Sequence, residues 1–140
     1  MTDPCDAVEA RLLEIIRETV PASLPCLSVD DEGDLPSTRC VVMCDGAKED
    51  DKSPGHWRVQ CRVEIIVEAE EEQTVAGMEA HWSAILRRLR SPGIVREMCS
   101  PAAKVHGTED YAIARGRTKR EWTRALAFAA WVTVLDAGAV

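Results

Sequence analysis

The residues of this chain with the most chemistry in them are its six cysteines and three histidines. The histidines, His56, His81 and His106, stand far apart and beside different residue types. A Cys–His or Ser–His–Asp site needs one of them to face a nucleophile, and the nearest pairing is His56 with Cys44 or Cys61. A zinc site can also be drawn from Cys40, Cys44, His56 and Cys61. If Cys40 and Cys44 share one strand, however, they are about 13 Å apart. Sulfurs on one tetrahedral zinc lie within about 4 Å of each other, because each Zn–S bond is only ~2.3 Å. Cys40, Cys44 and Cys61 fit better as small apolar fillers on strand faces. The acidic run Asp30, Asp31, Glu32 and Asp34 lacks the alternating spacing and closing glutamate of a helix–loop–helix calcium site. No glycine-rich phosphate loop and no His-Glu-x-x-His motif occurs. This reading predicts no catalytic residue, no metal ligand and no cofactor.

Charge is the second kind of chemistry. The chain carries a net −7, which argues against a surface that binds nucleic acid throughout. Against that background the cluster Arg115, Arg117, Lys119, Arg120 and Arg124 stands out. It suits phosphate contact or docking on an acidic surface, or it is a solvated turn and strand end. Nucleic-acid recognition adds stacking aromatics, and only Tyr111 and Trp122 lie nearby. The stretch Asp45 to Asp51 is acidic and supplies a complement on another copy of the same chain. Docking of copy on copy, with Glu49, Asp50 or Asp51 against Arg117, Lys119 or Arg120, explains both patches with one assumption.

These side chains need a scaffold. At 140 residues, 46% hydrophobic and 29% charged, the chain reads as one domain with a real core. No apolar run approaches the ~18 residues of a membrane helix. The acidic start Met-Thr-Asp-Pro-Cys-Asp lacks the basic-then-apolar pattern of a signal peptide. Cytoplasmic assembly and free thiols are the corresponding expectations.

The dominant element is Trp57 to Ala69. Its odd positions are apolar and its even positions polar except Ile66, the period of two of a half-buried strand. Thirteen residues span about 43 Å, so this strand is expected to outrun its own core and to need a partner copy. Residues 3–19 predict a helix, capped by Asp3 with Pro4 at its first position and buried through Val8, Leu12, Ile15, Ile16 and Thr19. Residues 22–37 read as an exposed connector, 38–44 as a short strand, and 45–55 as a mobile projecting loop. Thr74 is expected to cap a second helix to Arg90, with Val75, Met78, Trp82, Ile85, Leu86 and Leu89 as its apolar stripe. A helical turn at 94–98 follows, then weak strands at 104–106 and 111–114 that pair with each other or continue past Gly107, a turn at 116–118 and a long strand over 119–135. Alanine-rich 125–131 could instead be helical, but Trp-Val-Thr-Val-Leu and consistent alternation favour strand. The fold class is α+β, a mainly antiparallel four- or five-stranded sheet with two principal helices packed on it.

This element order over residues 4 to 135, with stretches such as Trp57–Glu68 and Arg120–Leu135, resembles the tail terminator proteins of long-tailed bacteriophages. The resemblance implies a non-enzymatic subunit of a hexameric ring, located in the tail or neck of the virion and assembled in the host cytoplasm. Such a ring caps the tail tube protein and meets the head–tail connector proteins. DNA passes through its lumen without specific binding, since phosphates bind cationic walls and not anionic ones. Head–tail joining and neck proteins of the same particle share this build and form the alternative. A small cytoplasmic binding module and a Cys/His enzyme are the readings from other classes.

Overall fold

The computed structural model describes residues 3–28, 36–68, 72–91, 103–118 and 121–134. Its first helix, α1 (Pro4–Thr19), starts where the sequence supplies a cap. The Asp3 carboxylate accepts from the Cys5 and Asp6 N–H groups at 2.8 and 3.3 Å, and Pro4 occupies a position where no N–H is required. Val8, Leu12, Ile15 and Ile16 are fully buried along one face. Arg11 and Glu14 pair at 2.7 Å on the other. Val20 ends the helix in extended backbone, and Pro21 cannot continue it.

Five strands form one sheet: β1 (Cys26–Ser28), β2 (Thr38–Glu49), β3 (His56–Val67), β4 (Ala103–Thr118) and β5 (Glu121–Val134), ordered β1-β2-β3-β5-β4. Only β1 runs parallel to its neighbour; the other pairings are antiparallel. The second helix, α2 (Glu72–Leu89), contacts α1 and β3. The fold is therefore α+β. The alternation in β3 is realised residue by residue. Val59, Cys61, Val63, Ile65 and Val67 lie in the core, beside Leu126, Phe128, Ala130, Val132 and Val134 of β5. Trp82, Ile85 and Leu89 bring the α2 stripe to the same core, and Met78 and Leu86 flank it.

Several elements differ from the sequence expectation. Leu24 and Cys26 are buried, and Cys26–Ser28 pairs with Cys40–Val42, so part of the presumed connector is an edge strand. The β2 strand continues five residues past Cys44, because Gly46, Ala47 and Lys48 pair with Gln60, Val59 and Arg58. A bulge between Cys44 and Gly46 absorbs Asp45 and lets the ladder resume. The loop expected over 45–55 is thus strand to Glu49 and a turn only beyond it. The long strand does not outrun its core: all twelve β3 residues pair with β5, and the core row is buried from Val59 to Val67. Helix α2 starts at Glu72 rather than after Thr74, consistent with Glu72 and Gln73 being good helix formers. Of the two arrangements expected for 104–106 and 111–114, continuation past Gly107 is the one found, with register shifts at Val105/Gly107 and Glu109/Ala112. Residues 116–118 sit in the ladder, not in a turn. The acidic run 30–34 and the helical turn at 94–98 lie outside the described residues.

Glu9 ties α1 to this framework. Its carboxylate accepts from the Ser28 hydroxyl and, at 3.3 Å, from the Cys44 N–H beside the bulge. Glu9→Ala leaves both donors without that acceptor and should cost about 1–3 kcal/mol. Urea unfolding of the variant measures it, with Glu9→Gln expected to lose less.

Candidate functional site

The acidic candidates sit on the β2–β3 turn and hold its shape. The Asp50 N–H donates to the His56 carbonyl at 2.8 Å, and its carboxylate accepts from the Lys52 N–H at 3.0 Å. Glu49 Oε2 accepts from the Gly55 N–H at 3.0 Å. Gly55 has φ +84, and its carbonyl accepts from the Val134 N–H at 3.0 Å, which anchors the turn to the end of β5. A side chain here would carry left-handed backbone strain. Glu49 and Asp50 therefore have intramolecular duties, while Asp51 is exposed. The turn is built, not a mobile arm.

The basic candidates lie at the other end of the same sheet. Arg115 pairs in register with Arg124, Arg117 with Trp122, and Thr118 with Glu121. His56, beside the acidic turn, pairs with Thr133, whereas Trp122 pairs with Val67. Eleven strand steps, about 37 Å, separate the two ends along β5. Acidic turn and basic end are thus not brought together within one molecule. Lys119 and Arg120 lie outside the described residues. Arg124 is drawn away from the cluster. Its guanidinium lies 4.6 Å from the Trp122 ring centre and 2.5 Å from Glu79 of α2, with a side chain only 16% exposed. It fastens α2 to the sheet.

The sheet face opposite α1 carries His56, Arg58, Gln60, Arg62, Glu64 and Ile66 on β3, beside Thr133, Trp131, Ala129, Ala127, Ala125 and Thr123 on β5. Its charges are partly paired, Arg62 with Glu64 at 3.0 Å and Arg39 with Glu68 at 3.1 Å. His56 stacks on Trp131 with ring centres 4.9 Å apart and contacts Thr133 Oγ1 at 3.3 Å. An open groove between the helix ends is lined by Glu18, Thr19, Ala84, Arg87, Arg88 and Ser91. Among the described residues no helix is long and apolar enough to cross a membrane.

The thiols gather where α1, β1, β2 and β3 meet. Cys44 and Cys61 are register partners with Sγ atoms 3.5 Å apart, and Cys26 is the register partner of Cys40. Cys40 thus faces Cys26 rather than joining Cys44 in a metal site, and His56 projects from the opposite face to Cys61. Among the described residues no group of three His, Cys, Asp or Glu side chains is placed to hold an ion. The sequence reading missed these thiol pairs and the Glu9 contact. The hairpin register alone, Glu49 opposite Trp57, would set residue 45 opposite 61; it is the bulge at Asp45 that brings Cys44 there.

Hydrogen bonding to Cys61 and burial hold the Cys44 thiol far above its ordinary value of 9.0. Cys40 is likewise raised by its contact with Cys26 and by burial, while that contact lowers Cys26, so this second pair partly offsets itself. For Cys44 the folded state keeps a proton that the unfolded chain loses. Its contribution is full below the unfolded value and falls as pH rises through it. Urea titrations at pH 8, 9 and 10 should show stability falling by up to about 1.4 kcal/mol per unit above pH ~9, with a shallower fall in Cys44→Ala.

No protein-family model matches this chain, and no curated protein sequence matches it. Solved structures share the fold, two of them over most of the chain. One is a chain of the virion of a native gene transfer agent particle, 15% identical with a TM-score of 0.53, covering 87% of this chain and 84% of that one. A second solved chain is 18% identical with a TM-score of 0.53, covering 94% and 92%. At these identities the likeness is one of fold.

Proposed function

We propose that this protein is a tail terminator of a phage-type particle, a virion structural subunit that forms a hexameric ring on the end of the tail tube and presents it to the head–tail connector proteins. The observation that carries the reading is the placement of an acidic turn and a basic strand end at opposite ends of one sheet. Complementary patches at opposite ends favour head-to-tail contacts, and such contacts close into rings when the rotation per subunit permits. A second feature supports self-association. The 16-residue β4 is an edge strand, and an edge of that length offers a row of backbone donors and acceptors to a neighbour. The likeness to a chain of the gene transfer agent virion supports the particle setting.

In this role the pairs are Glu49, Asp50 or Asp51 of one copy against Arg117, Lys119 or Arg120 of the next. Six copies at −7 each bring −42 together, so local pairing and apolar contact must outweigh a general repulsion. The same negative charge suits a lumen through which DNA slides without sticking. The function needs neither a cofactor nor a catalytic residue.

The experiment is addition of the purified protein to polymerising tail tubes of its own particle, followed by electron microscopy. Tubes should stop at the length present on addition and carry a six-fold ring at one end. Tubes that elongate unchanged, with no ring on either end, would contradict the role.

A further inference from the structure

Cys44 and Cys61 oppose each other in the β2–β3 ladder with sulfurs 3.5 Å apart. A disulfide needs ~2.05 Å between sulfurs and Cβ atoms ~3.5–4.5 Å apart, and directly opposed antiparallel residues hold their Cβ atoms ~4.5–5.5 Å apart. The remaining adjustment is small, and it falls beside the bulge, where the ladder is already loosened. The Cys44 N–H there donates to the Glu9 carboxylate at 3.3 Å. Access differs between the two thiol pairs. Cys44 is half-buried with Cys61, 2% exposed, directly behind it. Cys26 and Cys40 are 6% and 0% exposed and sealed beneath α1.

We propose that Cys44 and Cys61 form a cross-strand dithiol that a peroxide closes to a disulfide, locking the β2–β3 hairpin. The Cys44 thiolate attacks one peroxide oxygen, the O–O bond breaks, and hydroxide leaves behind a sulfenic acid. The Cys61 sulfur then attacks the Cys44 sulfur, the S–O bond breaks, and water leaves as the S–S bond forms. Overall, two thiols and hydrogen peroxide give one disulfide and two waters. Each sulfur is oxidised by one electron and each peroxide oxygen is reduced by one. The hydrogen bond and burial that raise the Cys44 thiol make the first step slow at neutral pH and faster as pH rises. The bridge closes a loop that contains the acidic turn, so oxidation stiffens the hairpin carrying Glu49, Asp50 and Asp51. This site stands independently of the ring.

The test treats the reduced full-length protein with hydrogen peroxide, denatures it, and blocks remaining thiols with N-ethylmaleimide for intact-mass and peptide analysis. Two fewer thiols should be alkylated than in untreated protein, and one peptide pair should join Cys44 to Cys61. The thermal midpoint of the oxidised protein should rise by roughly 10 °C, as expected for a loop of about 17 residues. Cys44→Ala and Cys61→Ala should each abolish the two-thiol loss. On the wild-type chain, phenylarsine oxide, which bridges adjacent thiols, should protect the same two cysteines from alkylation. A bridge mapped to another pair or between two chains would overturn the proposal, as would Cys44 accumulating only as sulfinic or sulfonic acid, or the absence of arsenical protection.

Discussion

Truncating Phe128 to alanine should cost about 3–5 kcal/mol of stability, the range for emptying a buried aromatic site. Phe128 is 1% exposed on the core face of β5, in register with Cys61 and among the largest fully buried side chains. The region cannot collapse easily, because the position belongs to a continuous core spanning both helices and the central strands. Natural domains hold only about 5–15 kcal/mol in total, so the loss is a large share. For a chain of this length the thermal midpoint should fall by about 10–15 °C. Tryptophan fluorescence during urea unfolding measures the change. A loss under about 1 kcal/mol would mean that the core is not centred on β5. Ile85→Asp should be worse still, since Ile85 is fully buried on α2 and an unpaired carboxylate there costs several kcal/mol. Leu86, beside it, is only partly buried and should tolerate the same change better.

Most of the framework was legible because period and burial agree. In β3 each odd residue from Val59 to Val67 is buried, and the sequence alternates in step. Asp3-Pro4 marks the start of α1, and its apolar stripe lands on the core. The failures share one cause: pairing overrides local preference. Residues 46–49 lie in a polar, glycine-containing run, yet β3 offers each of them a backbone partner. Cys26–Ser28 sits between prolines and acids, and only its pairing with β2 makes it a strand. For the candidate site, the two charged patches were legible as patches. Their positions at opposite ends of one sheet follow from strand order and register, which no local pattern encodes. Arg124 read as one more surface cation: Trp122 shares its strand face two residues away, but Glu79 reaches it only through tertiary packing.

The second large effect concerns assembly. Reversing Arg117 and Arg120 to glutamate should leave the monomer folded and remove rings, because every subunit contact would then set acid against acid. The complementary change needs care at the turn. Asp50 accepts the Lys52 N–H, so Asp50→Asn removes the charge and keeps an acceptor oxygen, while exposed Asp51 can become lysine. That acidic-end variant should also fail to form rings. A chain carrying both sets of changes has its polarity inverted and should recover them at least in part. Circular dichroism establishes that each variant is folded, and added salt should weaken rings of the wild type and the inverted chain alike.

The most direct measurement mixes the two singly changed proteins and follows mass by sedimentation. In head-to-tail contact, the acidic turn of one copy meets the basic end of the next. Each variant alone therefore repels itself, whereas alternating the two restores attraction at every contact. The equimolar mixture should sediment as six-membered rings holding three of each variant, while either protein alone remains monomeric. A mixture that stays monomeric under conditions where the wild type forms rings would contradict the account.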